Sequence, residues 1–263
     1  MAPCIRALNW SPSGADNLRS MASTRTEKRL VVLQPSYLPW LGYLDQVARA
    51  DVFVFYDDVQ FDRHGWRNRN RIRTPGEPGW SWLTIPVRLE RDFPSILEVR
   101  IDPRMPWRRK HRRALELAYG RAGHLELLER YFGALFDGQE DRLAEVAMAG
   151  VRASAAAFGI ETPVFRSSEL GIGGDRNTRL LDLCRHFGAT RYLSGAAARA
   201  YLDVELFTRN GIEVEWQEYA HPTYRQCFEP FVSHLSAVDA LLSLGAEEAR
   251  ALFSGPAAVA LPA

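Results

Sequence analysis

Two periods of hydrophobicity alternate along the chain, and their order predicts the fold. The run 29-RLVVLQ-34 is almost continuously apolar and ends at Pro35, the pattern of a strand covered on both faces. Residues 41-LGYLDQVARA-50 then space their apolar positions as two to three helical turns, and 51-DVFVFYDD-58 is a second buried strand. Strand, loop, helix and strand in that order predict a parallel sheet with helices packed on it. Further extended segments are expected at 80-WSWLTIPV-87 and 96-ILEVRI-101.

The middle of the chain reads as helical. Asp102 and Pro103 suit the N-cap and first turn of a helix that reaches Tyr119 and stops at Gly120. Leu125, Leu128, Tyr131, Phe132 and Leu135 mark one face of a second helix, and a third runs from about 140 to Phe158, ending at Gly159. The last third returns to alternation: a strand at 163-PVFRSS-168, a helix over 177–187 stopped by Gly188, and a strand at 191-RYLSG-195. After a short helix, 212-IEVEWQEY-219 alternates apolar and polar positions as a half-exposed strand does. Ser236 with Asp239 predicts a capping box opening a final helix to about Phe253.

The expected fold is therefore α/β and Rossmann-like, a mostly parallel sheet flanked by helices, with a helical insertion or subdomain near 103–160. Residues 29–253 form a single domain in this reading, 1–28 a disordered N-terminal extension and 254–263 a frayed tail.

Composition narrows the function classes. The chain has 263 residues, 46% of them hydrophobic, enough to bury a core without staples. A net charge of +1 and the lack of a known binding motif argue against nucleic acid as a partner. Lys28 and Lys110 are the only lysines and neither lies in a glycine-rich loop, so neither a P-loop nor a Schiff-base lysine is expected. Cys4, Cys184 and Cys227 are scattered without metal-ligand spacing, so no metal is expected and the chain suits a reducing cytoplasm. No stretch approaches the ~20 apolar residues of a membrane span, and the N-terminus lacks a secretory apolar core.

In open parallel sheets, ligands bind beyond the carboxyl ends of the strands. That rule selects Gln34–Tyr43, Asp57–Gln60 and Ser194–Gly195. In the first loop, Pro35 and Pro39 stiffen the backbone and leave Gln34, Tyr37 and Tyr43 to meet a ligand, with Trp40 either wall or core. Asp57 and Asp58 are the best carboxylate pair; being adjacent on a strand, they point apart and do not form a shared-proton dyad. If extended, 63-RHGWRNRNRIRT-74 puts Arg67, Arg69, Arg71 and Arg73 on one face, suited to phosphate or carboxylate, and Asn68, Asn70 and Ile72 on the other. The basic run 108-RRKHRR-113 reads as a solvated helical face. His221 opens 221-HPTYRQ-226 just past a strand and is the natural general base, with Tyr224 and Gln226 beside it. Ser194 lacks the GxSxG elbow of a nucleophile.

The blocks QPSYLPWLGYLDQV, FVFYDDVQF, WRNRNRI, WLTIPV, TRYLSGAAARAYLD and EYAHPTYRQ, in this order, resemble the WbqC-like family over about residues 30–245. The resemblance implies a tailoring enzyme in O-antigen, other surface-polysaccharide or specialised-metabolite (natural product) biosynthesis. It implies acyl or aminoacyl transfer, glycyl for instance, to an amine, from a thioester or acyl-adenylate donor that is carrier-protein- or nucleotide-linked. The site residues it implies are Gln34, Tyr37, Trp40, Tyr43, Asp57, Asp58, Gln60, Asn68, Arg69, Asn70, Asn177, Ser194, His221, Tyr224 and Gln226, and the matched blocks also carry Pro35, Pro39, Gly42, Gly195 and Pro222. His221 is the expected base, with Asp58 orienting it or the amine, Gln34 and Asn70 holding the carbonyl, and Arg69 binding a donor phosphate or carboxylate. An adenylating enzyme with a loop of HIGH-motif type, and a non-enzymatic nucleic-acid binder, are the alternatives.

Overall fold

The computed structural model describes residues 27–253. The expectations for the N-terminal extension, apart from Glu27 and Lys28, and for the tail 254–263 lie outside the described residues, as does Cys4. In chain order, β1 (Arg29–Leu33), α1 (Leu41–Arg49) and β2 (Val52–Phe55) form the expected unit, with Leu30 opposite Val52 in parallel register. A hairpin follows, β3 (Arg69–Arg73) antiparallel to β4 (Trp80–Thr84), then the short pair β5 (Val87–Arg88) and β6 (Arg100–Ile101). Three helices occupy the middle: α2 (Trp107–Tyr119), α3 (Glu126–Asp137) and α4 (Leu143–Ala157). The chain then runs through β7 (Val164–Arg166), α5 (Arg176–His186), β8 (Arg191–Gly195), α6 (Val204–Arg209) and β9 (Glu213–Gln217) to α7 (Ala237–Leu244) and α8 (Ala246–Ala251).

The central sheet has the order β7-β2-β1-β8-β9, and every neighbouring pair is parallel. Alternate strand residues feed two cores, as a doubly covered sheet requires. Val31, Phe53, Phe55 and Leu193 face the core shared with α1, α4 and α7. Leu30, Val32, Val52, Val54 and Tyr192 face α5 and α6, against Leu180, Leu183 and Phe207. The helices α2–α4 contribute Leu115, Phe132 and Val146 to the first core, so the sheet and the helical region share one apolar interior. The winding reverses between β1 and β8, which makes the carboxyl ends of those strands the switch point of a Rossmann-like α/β fold.

Four local expectations need correction, each for a physical reason. The strand expected over 80–87 is cut at Pro86, which cannot donate to a ladder. Residues Ile96–Glu98 form a 3-10 turn, because Ser95 and Glu98 make a reciprocal capping box there. Helix α2 starts at Trp107 and not at 103: Pro106 occupies its N-cap, and Asp102 is taken by Arg104, with Nε to Oδ1 at 2.9 Å. That guanidinium holds the Asp102 carboxyl down at about 2. The final helix breaks at Gly245, whose φ of 83° favours glycine, and where a Cβ would meet the His124 ring at 2.9 Å. Its capping box is incomplete as well. Ser236 Oγ accepts from the Val238 amide at 3.3 Å, but Asp239 turns inward and is fully buried.

Candidate functional site at the carboxyl edge of the sheet

The loop leaving β1 is held from several sides. The Gln34 carbonyl accepts from the Tyr43 hydroxyl and from Arg67 Nη1, both at 3.1 Å. Leu38 takes a φ of 44°, and Asn70 Nδ2 donates to its carbonyl at 2.6 Å. Asn70 Oδ1 accepts from the Arg71 amide at 2.8 Å, so this buried asparagine is saturated by backbone. Tyr37 is fully buried, its hydroxyl 2.9 Å from His111 Nδ1, and Tyr43 is nearly so. Both tyrosines belong to the core. The Gln34 side chain stays loosely tethered, 3.4 Å from the carbonyl of exposed Gln60, and Trp40 is half-buried.

At the ends of β2 and β7 the carboxylate pair is tied into a dense network. Asp57 is fully buried; its Oδ2 accepts from Arg166 Nε at 2.9 Å and from Ser168 Oγ at 2.8 Å, and its Oδ1 from the Ser168 amide at 3.1 Å. The Ser167 hydroxyl lies 3.1 Å from Asp57 Oδ1 and 2.6 Å from Asp58 Oδ1. With one proton to give, it donates along the shorter contact. Asp58 is closed on its other side by Arg179, which also stacks on Tyr56. Asn177, at the start of α5, joins α5 to the turn before α6 through the Asp203 amide at 3.0 Å. Ser194 is buried on β8, on the face that packs against α5 and α6.

The other half of the edge is crossed by a strap, residues 218–235, that leads from β9 to α7. Its aromatic side chains gather around Trp40. The His221 ring stacks parallel to Trp40 at 6.4 Å and lies 4.9 Å from His234, which itself stacks on Trp40 at 5.2 Å; Tyr219, Tyr224 and Phe231 complete the box. His221 Nδ1–H donates to the Pro222 carbonyl at 2.8 Å. That bond sets the tautomer and leaves the lone pair on Nε2, which is buried and has no partner. Burial pulls the His221 pKa below its ordinary value, the Pro222 bond opposes that shift, and His234 adds to it. His234 is exposed yet has a φ of 58°, a strained backbone of the kind found at functional sites.

Beneath the strap lies a group the sequence reading missed. Asp239 accepts from the Tyr119 hydroxyl at 2.9 Å, the Tyr224 hydroxyl at 2.7 Å and Gln226 Nε2 at 2.8 Å. Burial raises its pKa against these bonds. Gln226 also clasps both backbone groups of Val232 at 2.8 Å, so Tyr224 and Gln226 serve as struts of the strap. Gln217, also missed, bonds the Gly42 carbonyl and Asp45 at 2.7 Å each. No periodicity marks either residue; Asp239 was legible only as a cap, the wrong role.

The arginine face requires correction. Arg73 is 1% exposed and bonds the carbonyls of Thr74, Gly79, Phe228 and Pro230, pinning the strap to the hairpin. Arg67 lies before β3 and bonds the loop after β1, so only Arg69 and Arg71 share an open face. Asn68 is buried on the opposite face and donates to the Ile85 carbonyl at 2.9 Å. Neither described cysteine is activated: burial pushes Cys184 up to about 12 and raises Cys227. A cavity of about 520 Å³ lies elsewhere, between Trp107 and Phe136, and none of the candidate residues lines it.

A profile of the WbqC-like protein family matches residues 34–251, which covers the edge and the strap together. An uncharacterized protein of Mycobacterium tuberculosis, Rv1507c, is 32% identical over 222 residues, 84% of this chain and 95% of that protein. No solved structure matches the chain. Among the described residues, no helix is long and apolar enough to cross a membrane.

Proposed function

The chain belongs to the WbqC-like protein family, and we propose that it is an enzyme that tailors a small molecule by forming an amide, with His221 as general base. One observation carries this reading: the Nδ1–H of His221 is committed to Pro222, while its Nε2 lone pair is buried and unpartnered. Because burial lowers its pKa, the ring is neutral at pH 7 and ready to accept a proton.

In the proposed reaction, the amine of the acceptor attacks the carbonyl carbon of a thioester or acyl adenylate. Nε2 of His221 takes the proton that the nitrogen loses as the C–N bond forms. Collapse of the tetrahedral intermediate breaks the C–S or C–O bond, and the proton passes from Nε2 to the departing thiolate or phosphate. The loosely held Gln34 amide is the donor for the polarised carbonyl. Asn70, saturated by backbone, is not assigned that role. The acceptor class is an amino sugar or another small amine of surface-polysaccharide or specialised-metabolite synthesis. His221→Ala assayed with the cognate donor and acceptor tests the reading. Turnover should collapse, and full turnover would refute it.

A second reading is favoured by the strand order. The switch point between β1 and β8 is where nucleotides bind in Rossmann-like sheets, so the same edge suits an adenylating enzyme that makes its own acyl adenylate. Thermal-shift titration with ATP and Mg²⁺ separates the two. A saturable shift favours adenylation, and none at millimolar nucleotide favours a ready-made donor.

A further inference from the structure

Among the described residues, most buried or half-buried arginines find a carboxylate, but Arg67, Arg69, Arg71 and Arg73, and Arg142 on the Leu97 carbonyl, form no ion pair. Arg67 and Arg73 spend their donors on backbone carbonyls, as described above. Arg69 and Arg71 instead lie on indole faces. The Arg69 guanidinium sits 4.5 Å from the Trp82 ring, and that of Arg71 sits 5.0 Å from Trp80 and 5.4 Å from Trp66. Each makes one side-chain hydrogen bond, Arg69 to the His64 carbonyl at 2.5 Å and Arg71 to the His234 carbonyl at 3.2 Å. Arg71 Nε is buried without a partner. Trp66 and Trp82 are each 39% exposed, so the rungs of this ladder meet solvent.

Stacking on indole holds a guanidinium flat and aligns its donor edge, but it does not neutralise the charge. Two positive charges without a carboxylate therefore sit half-exposed on the β3–β4 hairpin, with N–H groups to spare. They adjoin the His221 box, because the His234 carbonyl that Arg71 bonds belongs to the residue that stacks on Trp40 and lies against the His221 ring. A single carboxylate would leave one of the two guanidinia uncompensated. A diphosphate supplies at least two negative charges and enough oxygens for two planar forks.

We propose that Arg69 and Arg71, held on Trp66, Trp80 and Trp82 beside His234, bind the diphosphate of a small-molecule substrate. This deepens the proposed function and rests on it only for the meaning of the neighbouring His221. Binding is measured without turnover, so the two ideas fail separately.

The experiment is a titration of the full chain with inorganic pyrophosphate, read by tryptophan fluorescence and by calorimetry at two salt concentrations. Wild type should show saturable quenching, weakened by salt, with acetate binding at least roughly tenfold more weakly. R69Q and R71Q should each weaken pyrophosphate by about tenfold or more, and R69K and R71K should weaken it less, since lysine keeps the charge but loses the fork. H221A should bind pyrophosphate as wild type does, even if it has lost turnover. Arg71 has its Nε buried and Arg69 does not, so R69Q is the variant to rely on if R71Q does not fold. The proposal is overturned by absence of quenching, by acetate matching pyrophosphate, by unchanged affinity in a folded R69Q, or by a single-stranded oligonucleotide binding more tightly than pyrophosphate.

Discussion

Asp57 and His221 both sit at the carboxyl edge of the sheet, yet their surroundings are opposite. Arg166 and Ser168 bring donors to within 3.1 Å of the Asp57 carboxylate and consume it. Around His221 one ring nitrogen is bonded and the other is left alone among aromatic faces. The first region spends its polar groups on joining β2 to β7. The second keeps one in reserve and uses other residues, Asp239, Gln226 and Arg73, to hold the strap that carries it. On the proposed reading, the reactive group is the one whose neighbours leave a lone pair unsatisfied, more than one marked by its residue type.

The sharpest way to break that comparison is to delete the reserve group. H221Q should lower kcat/KM by about 10²–10⁴-fold, the usual worth of a general base, while folding stability falls by only about 1 kcal/mol, the worth of the single bond to Pro222. D57A should behave the other way. Losing the buried carboxylate takes the partner of Ser168 and the nearest of the three carboxylates around Arg166, which removes about 3–5 kcal/mol of stability in urea denaturation. A D57A protein as stable as wild type would erase the contrast.

A second histidine sharpens it. His111 is as buried as its neighbours, but its Nδ1 is engaged by another side chain, the Tyr37 hydroxyl at 2.9 Å. Burial holds its pKa down at about 4, against an ordinary 6.5. Between those values the unfolded chain binds the extra proton and the folded chain does not, so stability rises with pH across that window. The contribution is fully present above pH 6.5 and is lost as pH falls through 4, up to roughly 3 kcal/mol. Denaturant midpoints of wild type and H111F, measured from pH 7 to pH 4, should converge in slope only if another group carries this term.

The fold was legible because periodicity reports burial directly. The apolar runs at β1 and β2 and the alternation at β9 all became strands of one sheet. The three loops singled out by the strand-end rule also lie on its carboxyl edge, since Leu33, Phe55 and Gly195 end parallel strands. What periodicity does not report is the partner of a polar side chain. Asp57 and Asp58 looked reactive because their donors, Arg166, Ser167 and Arg179, lie more than a hundred residues away. Tyr37 looked like a site wall, because nothing local reveals that His111 waits for its hydroxyl in the core. Ser95 with Glu98 was passed over, although its spacing is the capping box that Ser236 with Asp239 only imitates.

Asp239 yields the smallest and most diagnostic effect. Its two oxygens receive Tyr119, Tyr224 and Gln226, and these bonds oppose the rise in pKa that burial causes. D239N preserves shape but offers one acceptor oxygen and turns an NH₂ toward groups that are donors themselves. At least one hydroxyl or amide loses its acceptor, so the variant should be less stable by about 1–2 kcal/mol. Turnover per folded molecule should fall by less than in H221Q, because the base survives and only its support loosens. If D239N instead matched H221Q in activity at unchanged stability, Asp239 would act on the chemistry itself and not through the strap. Urea midpoints and kcat/KM measured on the same preparation decide between these outcomes.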